Sequence, residues 1–447
     1  MNRSLIYTIL FLICILSRLI TSINYLEDYQ SALMAYDVKN SDLLSVFQGF
    51  HHPVFITLVK IFSLVTNNIF LGFSIVGGIS VYLIIYYTLS ILKTPLASLE
   101  GGLVALLIFF NPIVWISSNR FTPELLGAGL AITSFYFLLS DTENRENKSW
   151  IGWLIAGLLL GVFPVFFLFL IFPLIYSIFK KKKVAVSFAS LTFGAVLWYI
   201  PLFFSGTNHA LLSTSDFLFP NDFDYGIQEK LFLGTRSLWA GVLNGYWKGR
   251  SWFTLYSSVT VLPFLFFGML ILLSFDYDKV KIITTGISVA LLVVVLFIYF
   301  PMNHASLCII IPFIAILISY GIIYFLVNFN SLLIKAVILI FILSEIYLGV
   351  YFSRDHRKPT AVEQVRQYLS EKRRDDTIIT STDQLQKYLQ LQGFNTFQIN
   401  SAPKNSLHHR KCIVTEGSLV IIGKPSLEFT HNFVTNPKWE KVELWEK

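Results

Sequence analysis

Residues 150–183 read WIGWLIAGLLLGVFPVFFLFLIFPLIYSIFKKKK. No charge interrupts the run from Trp150 to Phe179, and Lys180, Lys181, Lys182 and Lys183 close it. Crossing a bilayer takes about twenty apolar residues in a helix, so the run reads either as one long tilted helix or as two short ones. Lysine and arginine gather in cytoplasmic loops, and that bias separates the two readings. With the amino terminus inside, two crossings return the lysines to the cytoplasm; one crossing strands them outside. The expectation is two spans, 150–164 and 165–179, with a break near Pro164.

The rest of the chain repeats the pattern. It has 447 residues, of which 55% are hydrophobic and 14% charged, whereas soluble domains carry about 25% charged residues. Apolar runs recur from Leu5 to Phe352, and Ser353–Lys447 has the mixed composition of a water-soluble domain. The expected spans are 4–24, 69–92, 96–117, 121–140, 150–164, 165–179, 184–204, 252–274, 280–300, 305–327 and 332–352. The predicted fold is therefore a polytopic α-helical membrane protein of about eleven spans, residues 1–352, followed by a small α/β domain, residues 353–447. The amino terminus reads as a retained first helix, because no small-x-small cleavage site precedes Glu27. Lys93, Arg145, Lys148, Lys279, Lys281 and Lys335 fall inside on this count. The loops 25–68 and 205–251 and the carboxy-terminal domain fall outside, in the cell inner (plasma) membrane of a bacterium.

The net charge of +7 comes largely from short loops between apolar runs, so it reflects topology and gives no reason to expect a nucleic-acid partner. Cys14, Cys308 and Cys412 are too scattered for a disulfide framework or a zinc site. Both long outer loops carry apolar residues at helical spacing, Leu43, Leu44, Phe47, Val54, Leu58 and Phe62 in the first. Such segments suit helices lying in the membrane interface. In the tail, Thr360–Arg373 and Gln384–Gln392 have helical periodicity, the latter stopping at Gly393. Thr377–Thr380, Cys412–Thr415, Leu419–Ile422 and Trp439–Trp445 read as strands. Gly423-Lys424 lacks the remainder of a phosphate loop, so ATP-driven transport finds no support.

Chemistry concentrates in residues 18–55, RLITSINYLEDYQSALMAYDVKNSDLLSVFQGFHHPVF. Charges beside a bilayer are costly unless exposed, paired or used. Glu27 and Asp28 follow the first span at its outer end, and Arg18 lies within that span one to two turns from the same end. His51-His52-Pro53 opens an amphipathic segment. After the third span, NPIVWISSNRFTPELL (111–126) brings Asn119, Arg120 and Glu124 to the same face. Each has a plain explanation by itself: Arg18 snorkels, His52-Pro53 makes a turn, Glu124 caps a helix. Their convergence on one membrane face favours a site.

The order of these elements resembles the GT-C superfamily of polyprenyl-phosphate-sugar-dependent glycosyltransferases. That superfamily includes protein O-mannosyltransferases and the bacterial enzymes that add aminoarabinose to lipid A. Its members place an arginine in the first helix, an outer-loop acidic pair, then Tyr and Ala on a helix along the membrane. A Pro-containing amphipathic helix follows, here HHPVFITLVKIF (51–62), and then a span with Asn-Pro and an aromatic leading to an acidic residue, here Glu124. The likeness is strongest over the first third of the chain. Three departures stand out: the pair is Glu27-Asp28 and not Asp-Glu, Gly161–Pro164 stands where many members carry a lysine, and His304 replaces an Arg or Tyr ahead of Pro312.

The resemblance implies a lipid-phosphate sugar donor and a glycan, lipid or protein acceptor, joined in one inverting displacement. An outer-loop carboxylate takes the acceptor proton, with Asp28 the expected base and Glu27 its alternate or helper. Glu124 orients the acceptor or stabilises the base. Arg18, Arg120, His51, His52 and His304 are candidates for the phosphate and its surroundings, since planar guanidinium forks suit phosphate. Arg236, Tyr246, Lys248 and Arg250, among Trp239, Trp247 and Trp252, are candidates for holding a pyranose. The competing explanation for that second group is an interfacial aromatic belt with snorkelling bases. No cofactor is indicated, and divalent-metal dependence, which occurs in parts of the superfamily, is left open. The rival classes are a transporter or lipid flippase, for which the missing half-to-half repeat and the scarcity of ionisable residues at mid-span count against, and a non-catalytic scaffold.

Overall fold

The computed structural model describes residues 3–23, 38, 52–139, 148–181, 184–204, 304–328, 331–355, 357–372, 377–398, 411–416, 425–430 and 441–446. The chain divides into two units, residues 1–22 with 42–353 and residues 23–41 with 354–447. The first contains α1 (Arg3–Ile20), α2 (Pro53–Thr66), α3 (Ile69–Ile91), α4 (Leu99–Phe110), α5 (Pro112–Ser117), α6 (Pro123–Leu139) and α7 (Ser149–Leu160). It continues with α8 (Val165–Lys181), α9 (Val184–Phe204), α10 (His304–Asn328) and α11 (Leu332–Asp355). The expected spans 252–274 and 280–300 lie outside the described residues.

Apolar residues cover the outside of this unit as well as its core. On α1 the exposed stripe is Leu5, Ile9, Leu12, Ile13, Leu16 and Ile20, while Cys14 and Arg18 face inward. On α9 the outer face carries Phe188, Phe193, Leu197, Ile200 and Phe203, and on α11 Val337, Ile340, Leu343, Tyr347 and Val350. A helix that turns its oily face outward and its arginine inward inverts the soluble pattern, and hydrocarbon is the solvent that rewards it. Ile69–Ile91 and Val184–Phe204 are each long and apolar enough to cross a bilayer unaided.

Side-chain contacts give the direction of each helix. α1 and α3 are antiparallel, with Tyr7 on Tyr86 at 4.8 Å and Phe11 on Tyr82 at 5.1 Å between ring centroids. α3 and α6 run the same way, since a Cβ on Gly129 would meet Ser80 and Leu83, while Tyr87 meets Tyr136 at 5.3 Å. α7 and α8 form a hairpin: Trp153 Nε1 donates to Ser177 Oγ at 3.3 Å, and Phe163 touches Phe166 at the reversal. The run quoted first is thus two antiparallel helices, not one, with the chain reversing over Gly161–Pro164. α9 returns alongside α7. There Gly157 and Gly194 face each other so closely that a Cβ on either would strike backbone, the small-residue contact that lets membrane helices approach.

These directions put Lys93, Lys148 and the Lys180-Lys181 end of α8 at one end of the bundle, near a cluster of Tyr7, Tyr82, Tyr86, Tyr87 and Tyr136. The opposite end receives Arg18, His52, Ser118, Asn119 and the α7–α8 reversal.

One expected span is corrected. Residues 96–117 are not one helix but α4 and α5, interrupted at Asn111. Pro112 has no N–H to continue the helical ladder and disfavours helical backbone at the residue before it. The Asn111 side chain instead caps α5, its Oδ1 accepting from Ile113 N at 3.0 Å and Val114 N at 3.3 Å.

The second unit is a five-stranded sheet with two helices, α12 (Ala361–Lys372) and α13 (Asp383–Leu391). The strands are β1 (Thr377–Thr380), β2 (Thr396–Gln398), β3 (Lys411–Glu416), β4 (Leu427–Thr430) and β5 (Lys441–Glu446), in the order β2-β1-β3-β5-β4. β1 is parallel to β2 and β3, and β5 is antiparallel to β3 and β4. The sequence reading does not include β2 or β4, which are three and four residues long. The expected strand 419–422 lies outside the described residues. α12 buries Ala361, Val362, Val365 and Leu369 at helical spacing, and Gly393 (φ 85°) ends α13 in the left-handed region.

Glu363 is buried in α12. Arg366 Nε donates to it at 2.7 Å and the Tyr388 hydroxyl at 2.9 Å. Burial, and then the neighbouring Glu363 carboxylate, push the Tyr388 phenol well above its ordinary range. The folded tail holds this proton where an unfolded chain releases it near pH 10, so its contribution is complete below about pH 10 and declines as pH rises further. Tyr388→Phe should cost about 1–2 kcal/mol near neutral pH and remove part of the alkaline decline. Urea midpoints for loss of protease resistance in the tail of the detergent-solubilised chain, compared between pH 8 and pH 10.5, check this.

Candidate functional site

The polar end of the first unit is assembled around the interruption between α4 and α5. Arg18 is fully buried there. Its Nε donates to Ser118 Oγ at 2.9 Å, one terminal nitrogen to Ser17 Oγ at 3.1 Å, and the other to the Phe109 carbonyl at 2.9 Å. The guanidinium lies 4.3 Å from the Phe109 ring centroid and 4.0 Å from that of Trp115. Trp115 stacks in turn on Phe110 across the break, with planes 5° apart. The sequence suggested a phosphate contact for Arg18. Among the described residues its partners are Ser17, Ser118 and the Phe109 carbonyl, which lies at a helix end where carbonyls lack intrahelical donors.

The segment after α5 is tied to three other helices. Ser117 Oγ accepts from Cys308 Sγ of α10 at 2.9 Å. Asn119 Nδ2 donates to Thr21 Oγ1 at 3.1 Å, and its Oδ1 accepts from Ser74 Oγ of α3 at 3.2 Å. A Cβ on Gly77 would strike the Ser118 backbone, so glycine is what lets α3 pass this segment. Arg120 and Thr122 are buried as well. Glu124 opens α6, where the partial positive charge of the helix start favours a carboxylate. It is half-buried. Among the described residues, Trp115 Nε1 and Thr122 Oγ1 in this stretch are buried and meet no hydrogen-bond partner. Sequence reasoning missed both, since it assigned Trp115 to a motif and Thr122 to no role.

His52 precedes α2, and its Nδ1 lies 2.7 Å from the Val162 carbonyl. Val54 N donates to Gly161 O at 3.0 Å, and the His52 ring stacks on Phe163 at 5.6 Å. The amphipathic α2 is thereby docked on the α7–α8 reversal, while Phe55, Phe73 and Phe121 form an aromatic cluster beside it. Nδ1 is committed to a carbonyl, which fixes the ring's orientation.

Arg18, His52, Arg120 and Glu124 thus all belong to one end of one bundle. Glu27, Asp28, His51, Arg236, Tyr246, Lys248 and Arg250 lie outside the described residues. His304 begins α10 four residues before Cys308, and only its backbone is described. Among the described residues no three His, Cys, Asp or Glu side chains gather as metal ligands.

Two solved structures share this fold across the whole chain. ArnT from Cupriavidus metallidurans bound to undecaprenyl phosphate superposes with a TM-score of 0.56 at 10% identity, covering 99% of this chain and 97% of that one. The same protein in the apo state gives 0.58 at 11% identity, covering 99% and 98%. The likeness is one of fold, at low sequence identity. No protein-family model matches the sequence, and no curated protein matches it either.

Gly77→Ala should destabilise the protein by about 1–3 kcal/mol, the usual cost of forcing extra volume into a packed site. The thermal midpoint in detergent should fall, whereas Gly102→Ala, where the added Cβ has only one neighbour at 3.9 Å, should leave it unchanged.

Proposed function

We propose that the chain is a membrane glycosyltransferase that takes its sugar from a polyprenyl-phosphate donor and passes it to an acceptor outside the cytoplasm. The observation that carries this reading is the end-to-end fold match to a protein solved with undecaprenyl phosphate. The charge layout supports it: lysines at one end of the bundle, and the interrupted helix with Arg120 and Glu124 at the other. By the positive-inside rule the lysine end is cytoplasmic, so the amino terminus is inside and the polar end and carboxy-terminal domain are outside.

In the proposed reaction Asp28, with Glu27 as helper, accepts the proton of the acceptor hydroxyl or amine. The acceptor atom then bonds to the anomeric carbon from the face opposite the phosphate. The bond from that carbon to the phosphate oxygen breaks, and polyprenyl phosphate leaves with the electron pair, which inverts the sugar carbon. Glu124 orients the acceptor. Arg120, His51, His52 and His304 surround the phosphate, and Arg236, Tyr246, Lys248 and Arg250 hold the sugar ring.

Asp28→Asn should abolish transfer of radiolabelled sugar from a polyprenyl-phosphate donor in detergent, at unchanged expression and membrane insertion. Glu27→Gln should reduce it. Full activity in both variants removes the proposed base. Substrate flux in sealed vesicles without sugar transfer would establish a transporter instead.

A further inference from the structure

We propose that Arg18 is a positioning residue: by joining the carboxyl end of α4 to the end of α5, it fixes the course of Ser118–Glu124 into the site. The inference rests on the reading of this end of the bundle as the reaction site.

The geometry begins with Pro112. Without its N–H the Ile108 carbonyl loses its helical donor, and Ile113 N–H, which would otherwise reach the Phe109 carbonyl, is taken by Asn111 Oδ1. Arg18 supplies a donor to Phe109 O. Among the described residues no carboxylate pairs with the guanidinium. Its charge is met by the negative end of the α4 dipole and by the faces of Phe109 and Trp115.

From there the contact passes outward. Arg18 Nε donates to Ser118 Oγ, and Ser118 Oγ donates onward to the Trp115 carbonyl at 2.8 Å. One side chain therefore holds both halves of the interrupted helix. With Gly77 backing Ser118, the residues that follow have one direction in which to leave. No part of Arg18 is exposed, so it acts on the site through Ser118 and not by touching substrate.

The test uses the full chain in detergent and two readouts. The first is the rate at which N-ethylmaleimide labels Cys308, followed on its peptide by mass spectrometry. This thiol is buried against Ser117 at the end of α5, so loosening of α5 uncovers it. Arg18→Gln should speed labelling about tenfold or more, as expected when a charge-assisted hydrogen bond stops holding a segment shut. Arg18→Lys should restore it part of the way, and Ser118→Ala should speed it less. The double variant Arg18→Gln/Ser118→Ala should label no faster than Arg18→Gln alone, because the two side chains act as one unit. The second readout is sugar transfer, where Arg18→Gln should lower kcat while KM for the polyprenyl-phosphate donor stays within about twofold, the pattern of a group that does not contribute to donor binding.

Unchanged Cys308 labelling in Arg18→Gln overturns the proposal, as does a tenfold rise in donor KM with labelling unchanged, which would make Arg18 a direct phosphate contact. If Arg18→Gln does not fold, Arg18→Lys and Ser118→Ala carry the same comparison. Absence of transfer by the unaltered protein would defeat the glycosyltransferase reading while the labelling rates still decide the role of Arg18.

Discussion

A helix cannot stop inside a membrane without leaving carbonyls that only the protein can satisfy. This constraint governs the polar end of the bundle. α4 stops at Asn111-Pro112, and the released backbone groups are met on one side by Arg18 and on the other by the Asn111 side chain. The aromatic faces of Phe109 and Trp115 shelter the guanidinium. Once the break is stabilised, Ser117, Ser118 and Asn119 fall where α10, α1 and α3 can bind them, and Arg120 and Glu124 follow.

Close helix packing makes the arrangement rigid enough to matter. Lipid tails are as apolar as leucine, so membrane helices associate through van der Waals contact and hydrogen bonds and not through escape from water. Glycine provides the contact at Gly77 against Ser118 and at Gly157 against Gly194. Hydrogen bonds provide it where His52 and Val54 meet the carbonyls of Val162 and Gly161. The α7–α8 reversal is thus part of the same construction, since the carbonyls of Gly161 and Val162 are what the start of α2 docks upon.

Much of this was legible in sequence because the bilayer imposes long-range order on composition. The run at 150–183 gave two helices because four lysines had to return to one side, and the observed hairpin agrees: Trp153 meets Ser177 while Phe163 meets Phe166. Asn111-Pro112 was visible as a motif, yet its consequence was not. Proline is tolerated inside many membrane helices, and α8 and α9 carry Pro173 and Pro201 without interruption. The contacts of Arg18 were equally hidden, because its partners Phe109 and Ser118 lie 91 and 100 residues away in the chain. In the tail, β2 and β4 are recognisable only through the strands they pair with.

The sequence by itself determined that the chain is built for a membrane, where most of its helices begin and end, and that acidic and basic residues crowd around the first helix and the Asn-Pro segment. It could do so because hydropathy and charge placement are summed along the chain, one residue at a time. Only the tertiary structure decided what those residues do for one another. Whether a buried arginine meets a ligand, a carboxylate or a broken helix depends on which distant backbone arrives beside it, and here that backbone is the carboxyl end of α4.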